Sequence, residues 1–198
     1  RMDQYNNIPW KIINAYFQDN PTALVDHHLV SYNDFFNHGI KQLFKENNPI
    51  RFIKDQHEDT NEFQYQAYLY MGGKNADKFY YGKPVIYDDD DNEHIMYPNE
   101  ARLRNMTYAF TIHFDLEIEF KIKVYDDLGG IAYETEDTVI VPKIYLGKFP
   151  IMMQSDMCIL KGLSPEVKFN MGECRNDIGG YFIVDGKEKV IICKEKFA

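Results

Sequence analysis

Lysines crowd the tail of this chain. Lys187 and Lys189 bracket Glu188 just after Asp185-Gly186, and Lys194 and Lys196 follow the apolar run Val190–Cys193. A hairpin would hold such cations out as a small basic tip, which suits contact with backbone phosphate. The same residues also read as an ordinary charged turn, since exposed lysines are common. Arg102 and Arg104 flank Leu103, with Glu100 close enough to pair with one of them. An arginine-rich turn can touch phosphate, or its guanidinium forks can clamp Glu100 and backbone carbonyls from inside. Tyr97 and Tyr108 on either side favour packing. Asn99, Glu100, Arg102, Arg104 and Tyr108 are therefore read as a structural motif.

Other polar clusters carry weaker chemistry. Asp88–Asp91 could attract a divalent cation, but consecutive acids lack the alternating spacing of a calcium loop and read as a solvated segment. His27-His28 could be metal ligands with His57, His94 or His113, yet no HExxH or Cys/His spacing supports them. Asp115, Glu117 and Glu119 could act as paired carboxylates. Their alternation instead suggests the wet face of a strand, continued by Lys121 and Lys123. No nucleophile elbow, cysteine signature or phosphate-binding glycine loop occurs, so no catalytic residue is assigned. Gly72-Gly73, Gly129-Gly130 and Gly179-Gly180 read as turns.

The elements that must position these groups are mixed. Pro9 at a tolerated first-turn position, with Ile8, Ile12, Ile13, Tyr16 and Phe17 at helical spacing, predicts a short amphipathic helix over 8–18. Ser31 with Asp34 resembles a capping box, opening a second helix that ends at Asn47-Asn48-Pro49. Strands are predicted at Arg51–Ile53 and Gln64–Met71, and residues 87–97 as a loop. From Thr111 to Val124 apolar and polar residues alternate without a break, which predicts a strand with one buried face. Straight, it would extend roughly 45 Å, so curvature is expected. Asp126–Gly130 then turns the chain, and Thr138–Val141 and Lys143–Leu146 return. Lys148–Met153, with its central proline, suits an edge or a bend. Residues 161–178 read as irregular, and Tyr181–Val184 with Val190–Cys193 as strands around Asp185-Gly186.

Composition sets the frame. With 198 residues, 44% of them hydrophobic, the chain can bury a core, and one domain is the default. Fifteen Tyr and fourteen Phe favour sheet. A net charge of −9 argues against a stand-alone nucleic-acid binder without excluding a local basic patch. Cys158, Cys174 and Cys193 follow no CxxC spacing, and no signal peptide or apolar span is present, which suggests reduced thiols inside the cell.

Two idiosyncratic stretches carry a family resemblance. Tyr97–Tyr108 (YPNEARLRNMTY) and Gly179–Ile192 (GGYFIVDGKEKVII) resemble the amino-terminal part of the second-largest subunit of multisubunit DNA-directed RNA polymerases, of the eukaryotic RNA polymerase II and large-DNA-virus type. Trp10–Ile50 is similar to the family opening, Lys78–Tyr97 to the segment before the PNEAR motif, and Gly147–Met153 (GKFPIMM), with Ser155 and Cys158, to a further family pattern. Asp185 and Lys187 stand where the family usually has Asn and Ser.

The resemblance implies an α+β fold, with amino-terminal helices packed on a mainly antiparallel, curved sheet. It also implies that 1–198 forms a single protrusion-like domain on one wall of the DNA cleft, which a later segment completes. It implies transcription by a nucleotidyltransferase complex whose Mg²⁺ is held by the largest subunit, so that this stretch alone is inactive. Partners would be the other polymerase subunits, the DNA template and the DNA–RNA hybrid, without a membrane and with self-association possible for the isolated stretch. Location would be intracellular: the nucleus, or the cytoplasm or virion for a viral protein. Lys189 matches the Glu-Lys of the family's Gly-Ser-Glu-Lys-Val motif, which faces nucleic acid; Lys187 and Lys194 join it as candidate contacts. The alternative is a free-standing protein–protein interaction domain that mimics the subunit.

Overall fold

In the computed structural model, which describes residues 7–56, 63–88, 90–125, 131–192 and 194, Pro9 lies in the opening turn of helix α1 (Ile8–Asp19). Asn20 closes it, its backbone and side-chain amides both donating to the Tyr16 carbonyl. The next helix starts earlier than its capping signal predicts. α2 (Asp26–Asp34) already contains Ser31, runs into one π-helical turn (Phe35–Gly39), and continues as α3 (Ile40–Asn47). A turn over 22–25, where Val25 N–H donates to the Thr22 carbonyl, launches α2 directly, so Ser31 has no free helix end to cap.

The chain divides into two compact units. The second comprises residues 35–83 and 110–149. Its sheet is built from β1 (Ile50–Gln56), β2 (Phe63–Met71), β3 (Phe79–Tyr81), and two long strands, β6 (Ala109–Tyr125) and β7 (Ile131–Pro150). β1 pairs antiparallel with β2 from Ile50↔Leu69 to Gln56↔Phe63, and β2 pairs with β6 from Tyr65↔Ile122 to Met71↔Leu116. β3 continues along the same edge of β6, with Phe79↔Phe114 and Tyr81↔Ile112. β7 takes the other edge. Lys121 meets Glu136, the Lys143 N–H meets Asp115, and the His113 ring meets Tyr145, so β7 runs antiparallel to β6. The two return segments expected separately are one strand. The result is an α+β fold with a curved, mainly antiparallel sheet.

Aromatic side chains fasten helix to sheet within this unit. The Phe44 ring on α3 lies 4.9 Å from Phe79 and 5.8 Å from Phe114, and Phe36 in the π turn lies 5.3 Å from Phe110. Such pairs add about 0.5–1.5 kcal/mol beyond their burial. The Tyr81 hydroxyl donates to the Phe36 carbonyl at 3.0 Å and pins the same turn.

The alternation along β6 holds only in its first part. Phe110, Ile112 and Phe114 are buried as expected, but Asp115 on the nominally wet face is only 9% exposed, and Phe120 on the apolar face is 38% exposed. Local neighbours override the period. Gly72 N–H donates to the Asp115 carbonyl and the Asp115 N–H to the Lys78 carbonyl, so this one residue closes both ends of the 72–78 excursion between β2 and β3. The turn expected at Asp126–Gly130 lies outside the described residues.

The first unit comprises residues 1–34, 84–109 and 150–198. The stretch expected as an acidic loop carries a small hairpin, β4 (Val85–Tyr87) with β5 (Glu93–Ile95). Helix α4 (Pro98–Leu103) follows, and the span expected to be irregular contains α5 (Pro165–Asn170), capped by Ser164 Oγ accepting from the Val167 N–H. A last hairpin, β8 (Phe182–Val184) with β9 (Lys187–Lys189), completes it. Its buried side chains include Met96, Tyr108, Ile151, Met153, Leu160 and Ile183, each nearly inaccessible. No described helix is long and apolar enough to cross a membrane.

Candidate nucleic-acid interface

The β8–β9 hairpin turns on Asp185 and Gly186, both at positive φ, 51° and 73°. That is the pattern of a type I′ turn, whose twist matches the strands it joins. A Cβ on Gly186 would lie 2.8 Å from the Asn105 Cα, so only glycine lets the turn approach the chain after α4. The contact is hydrogen-bonded on both sides. Gly186 N–H donates to the Met106 carbonyl at 3.0 Å, Asp185 N–H to Thr107 Oγ1 at 3.1 Å, and Thr107 Oγ1 to Asp185 Oδ1 at 3.2 Å. The two most distinctive stretches of the sequence are thus clasped to each other.

Register decides where the charges point. Ile183 pairs with Glu188, while Phe182 and Val184 pair with Lys189 and Lys187. Side chains alternate along a strand, so Glu188 shares the face of the wholly buried Ile183, and Lys187 and Lys189 project from the other. All three β9 residues are exposed. The second strand is therefore Lys187–Lys189 rather than Val190–Cys193, and two of the lysines lie within it rather than at a tip. Lys194 is exposed beyond the end of β9, and Cys193 and Lys196 lie outside the described residues. Among the described residues none of Lys187, Lys189 and Lys194 has a carboxylate partner.

Arg102 holds the inner face. Its Nη1 donates to both oxygens of Glu173 at 2.8 Å, its Nε to Glu188 Oε1 at 2.9 Å, and its Nη2 to the Tyr181 hydroxyl at 2.7 Å. Tyr181 in turn donates to Asp177 Oδ2 at 2.6 Å. Burial, then the bond to Asp177, push the Tyr181 pKa well above its ordinary value, so it remains a proton donor. The Glu173 side chain is only 3% exposed, and a planar fork supplies the charge and hydrogen bonds it needs there. Arg104 does something simpler, meeting Glu100 at 3.1 Å one helical turn away.

The rest of the motif is packed. The Tyr108 side chain is inaccessible; its N–H donates to the Ile183 carbonyl, its carbonyl accepts from Ile151 N–H, and its hydroxyl accepts from Ile159 N–H. Burial, with Cys158 nearby, raises its pKa far above the ordinary range. Asn99 abuts Gly172, where a Cβ would fall 2.3 Å from its side-chain nitrogen. Glu173, Asp177 and Tyr181 were not legible as site residues. Glu173 and Asp177 lie in the span read as irregular, and Tyr181 was read only as the start of a strand. Their role is revealed by contacts with Arg102, 71 residues from Glu173 and 79 from Tyr181, and by the bond from Tyr181 to Asp177.

His57 and Asp89 lie outside the described residues, and other sequence candidates are occupied locally. Asp88 accepts from the backbone N–H groups of Asp90 and Asn92 and contacts His94 at 3.0 Å. His27 and His28 stack on each other at 4.0 Å, and His113 lies against Tyr145. Glu119 meets Lys74 and accepts from the Tyr70 hydroxyl, and Lys74 lies 3.9 Å from Glu117. Among the described residues no group of three or more His, Cys, Asp or Glu could hold a metal ion. Cys158 and Cys174 are free thiols.

What these residues build is a scaffold, a clamped hairpin that turns its cations outward. The family described as RNA polymerase beta subunit matches residues 23–198, and the chain belongs to it. The chain is 36% identical to DNA-directed RNA polymerase II subunit RPB2 of Eremothecium gossypii and 32% identical to DNA-directed RNA polymerase II subunit 2 of Arabidopsis thaliana, with 96% of this chain and 15% of each relative covered. It is 35% identical to the archaeal subunit Rpo2N of Methanothermobacter thermautotrophicus, over 96% of this chain and 31% of that protein. The chain thus spans between about a seventh and a third of the relatives it matches.

Proposed function

We propose that this chain forms the protrusion, part of the wall of the DNA cleft in a DNA-directed RNA polymerase, and that residues 1–198 act there as one domain completed by another segment. Its partners are other subunits of the polymerase, the largest among them, and the DNA template and DNA–RNA hybrid pass its surface. Its relatives are polymerase subunits of eukaryotes and an archaeon, which supports an intracellular protein, nuclear in a eukaryotic enzyme. They do not favour a free-standing interaction domain.

One observation carries the reading. Glu188 is drawn inward to Arg102, which leaves Lys187 and Lys189 as the outward charges of β9, with Lys194 just beyond. Neighbouring cations of this kind suit sequence-independent contact with phosphate, which positions a duplex without reading it. Nucleotidyl transfer requires metal ions to orient and neutralise the attacking and leaving oxygens. In this proposal the Mg²⁺ is held by the largest subunit, and this chain supplies none of its ligands.

The test uses assembled polymerase. Lys189→Ala should weaken DNA retention and lower the slope of log affinity against log salt by about 0.9, one phosphate's worth; Lys187→Ala and Lys194→Ala should do the same. An unchanged slope in all three variants overturns the proposal.

A further inference from the structure

Gln154 carries three marks that the cleft-wall reading leaves unexplained. Its backbone lies in the left-handed region at φ 67°, an uncommon and costly conformation for a residue with a side chain. Its Oε1 accepts from Lys168 Nζ at 2.9 Å, which fixes the amide orientation, because the reversed amide would set donor against donor. Its Nε2 is buried with no hydrogen-bond partner. Gly179 locks the side chain in place: a Cβ there would fall 2.5 Å from Gln154 Cγ and 2.4 Å from the Met153 carbonyl oxygen. Buried donors are almost always satisfied in folded proteins, so this one calls for an acceptor.

Gln154 lines a cavity of about 430 Å³ in the first unit. Lys168 and Arg175 line it too, and among the described residues neither has a carboxylate partner. The Arg175 guanidinium lies over the Phe169 ring, 4.2 Å from its centroid, which holds the fork while leaving its N–H groups unspent. Asp177 is the carboxylate in the same wall, but Gly179 N–H occupies its Oδ1 at 2.9 Å and the Tyr181 hydroxyl its Oδ2 at 2.6 Å. Phe17, Pro21, Leu163 and Ile178 supply apolar walls. In a chain of net charge −9, this is a local excess of cations around an unpaired amide donor.

We propose that this cavity binds the carboxylate of a protein partner, presented as an Asp or Glu beside an aliphatic residue. The carboxylate accepts from Gln154 Nε2, Lys168 and Arg175, and the aliphatic neighbour lies on the Phe17 and Ile178 side. Charge complementarity selects an acid, and the apolar walls select its neighbour. A nucleic-acid backbone fits less well, because those apolar walls offer nothing to a second phosphate. The cavity is separate from the cleft-facing lysines: neither Lys187, Lys189 nor Lys194 lines it.

The test is a titration of the whole 198-residue chain, ¹⁵N-labelled, followed at the Gln154 side-chain amide. The probes are a short blocked peptide with Asp beside Leu, the same peptide with Asn for Asp, inorganic phosphate, and a single-stranded oligonucleotide. The Asp peptide should shift the Gln154 amide, and the Asn peptide should bind about tenfold more weakly or worse. Arg175→Ala and Lys168→Gln should each weaken the Asp peptide by about tenfold, while Arg175→Lys, which keeps the charge, should lose less. Backbone spectra matching the parent chain show that each variant keeps its fold. Equal binding of the two peptides, or tighter binding of phosphate or oligonucleotide, overturns the proposal. So does an unmoved Gln154 amide with every probe, which would leave only water at Nε2.

Discussion

Arg102 and Glu188 stand 86 residues apart in the chain, yet Arg102 Nε and Glu188 Oε1 meet at 2.9 Å. That bond ties the PNEAR helix to the strand that carries Lys187 and Lys189, and it draws the only acid of that strand to the inner face. The same guanidinium neutralises Glu173, so one side chain both stabilises the unit and sets the charge of its outer surface.

Arg102→Ala should therefore destabilise the chain by about 3–5 kcal/mol, because it strands the Glu173 carboxylate without a partner. Arg102→Lys should recover only a minor part, since an ammonium cannot reach Glu173, Glu188 and Tyr181 at once. Urea denaturation measures both; a loss below about 1 kcal/mol for the alanine variant would contradict the clamp.

Gly186→Ala should cost about 1–3 kcal/mol by the same measurement. The added Cβ meets Asn105 and must sit at φ 73°. Weakened protection of the Gly186 amide, now bonded to the Met106 carbonyl, should accompany the loss in hydrogen exchange.

Asp115 joins two strands through its side chain, Oδ1 accepting from Lys143 N–H at 2.9 Å and Oδ2 from the Tyr80 hydroxyl at 2.9 Å. The bond from Lys143, ahead of that from Tyr80, holds its pKa below the ordinary carboxylate value. Asp115→Ala should speed exchange of the Lys143 amide markedly, and Asp115→Asn less, because one carbonyl oxygen remains to accept. Unchanged exchange in both variants would show that Lys143 is held by something else.

Asp88 should titrate near pH 2, because His94, and then the Asn92 N–H, favour its charged form. Its folded pKa lies below the ordinary value, so its contribution to stability is complete above about pH 4 and disappears as pH falls through about 2. A ¹³C titration of the carboxyl group follows this, and His94→Ala should move the midpoint up. A midpoint near 4 in the parent chain would rule the interaction out.

Much of this was legible from residue order alone. Period-two alternation announced β6, spacing and Pro9 announced α1, and Asp185-Gly186 announced a hairpin, because each depends on interactions within a few residues. The ordered motifs announced the family, and Glu100 was near enough in sequence for a pairing with Arg102 or Arg104 to be foreseen; the structure gives Arg104. Ser31 misled because a capping signal works only where a helix end is free, and an upstream turn had already started that helix.

What residue order could not supply was any contact that closes across a long loop. The alliance of Arg102 with Glu173, the burial of Asp115, the face chosen by Glu188 and the unpaired donor of Gln154 all follow from strand register and packing. Local propensity specifies elements because its energies act over a turn or two. Which charge is buried, paired or left outward is settled only when distant segments meet and exclude water, and that is a property of the assembled tertiary structure.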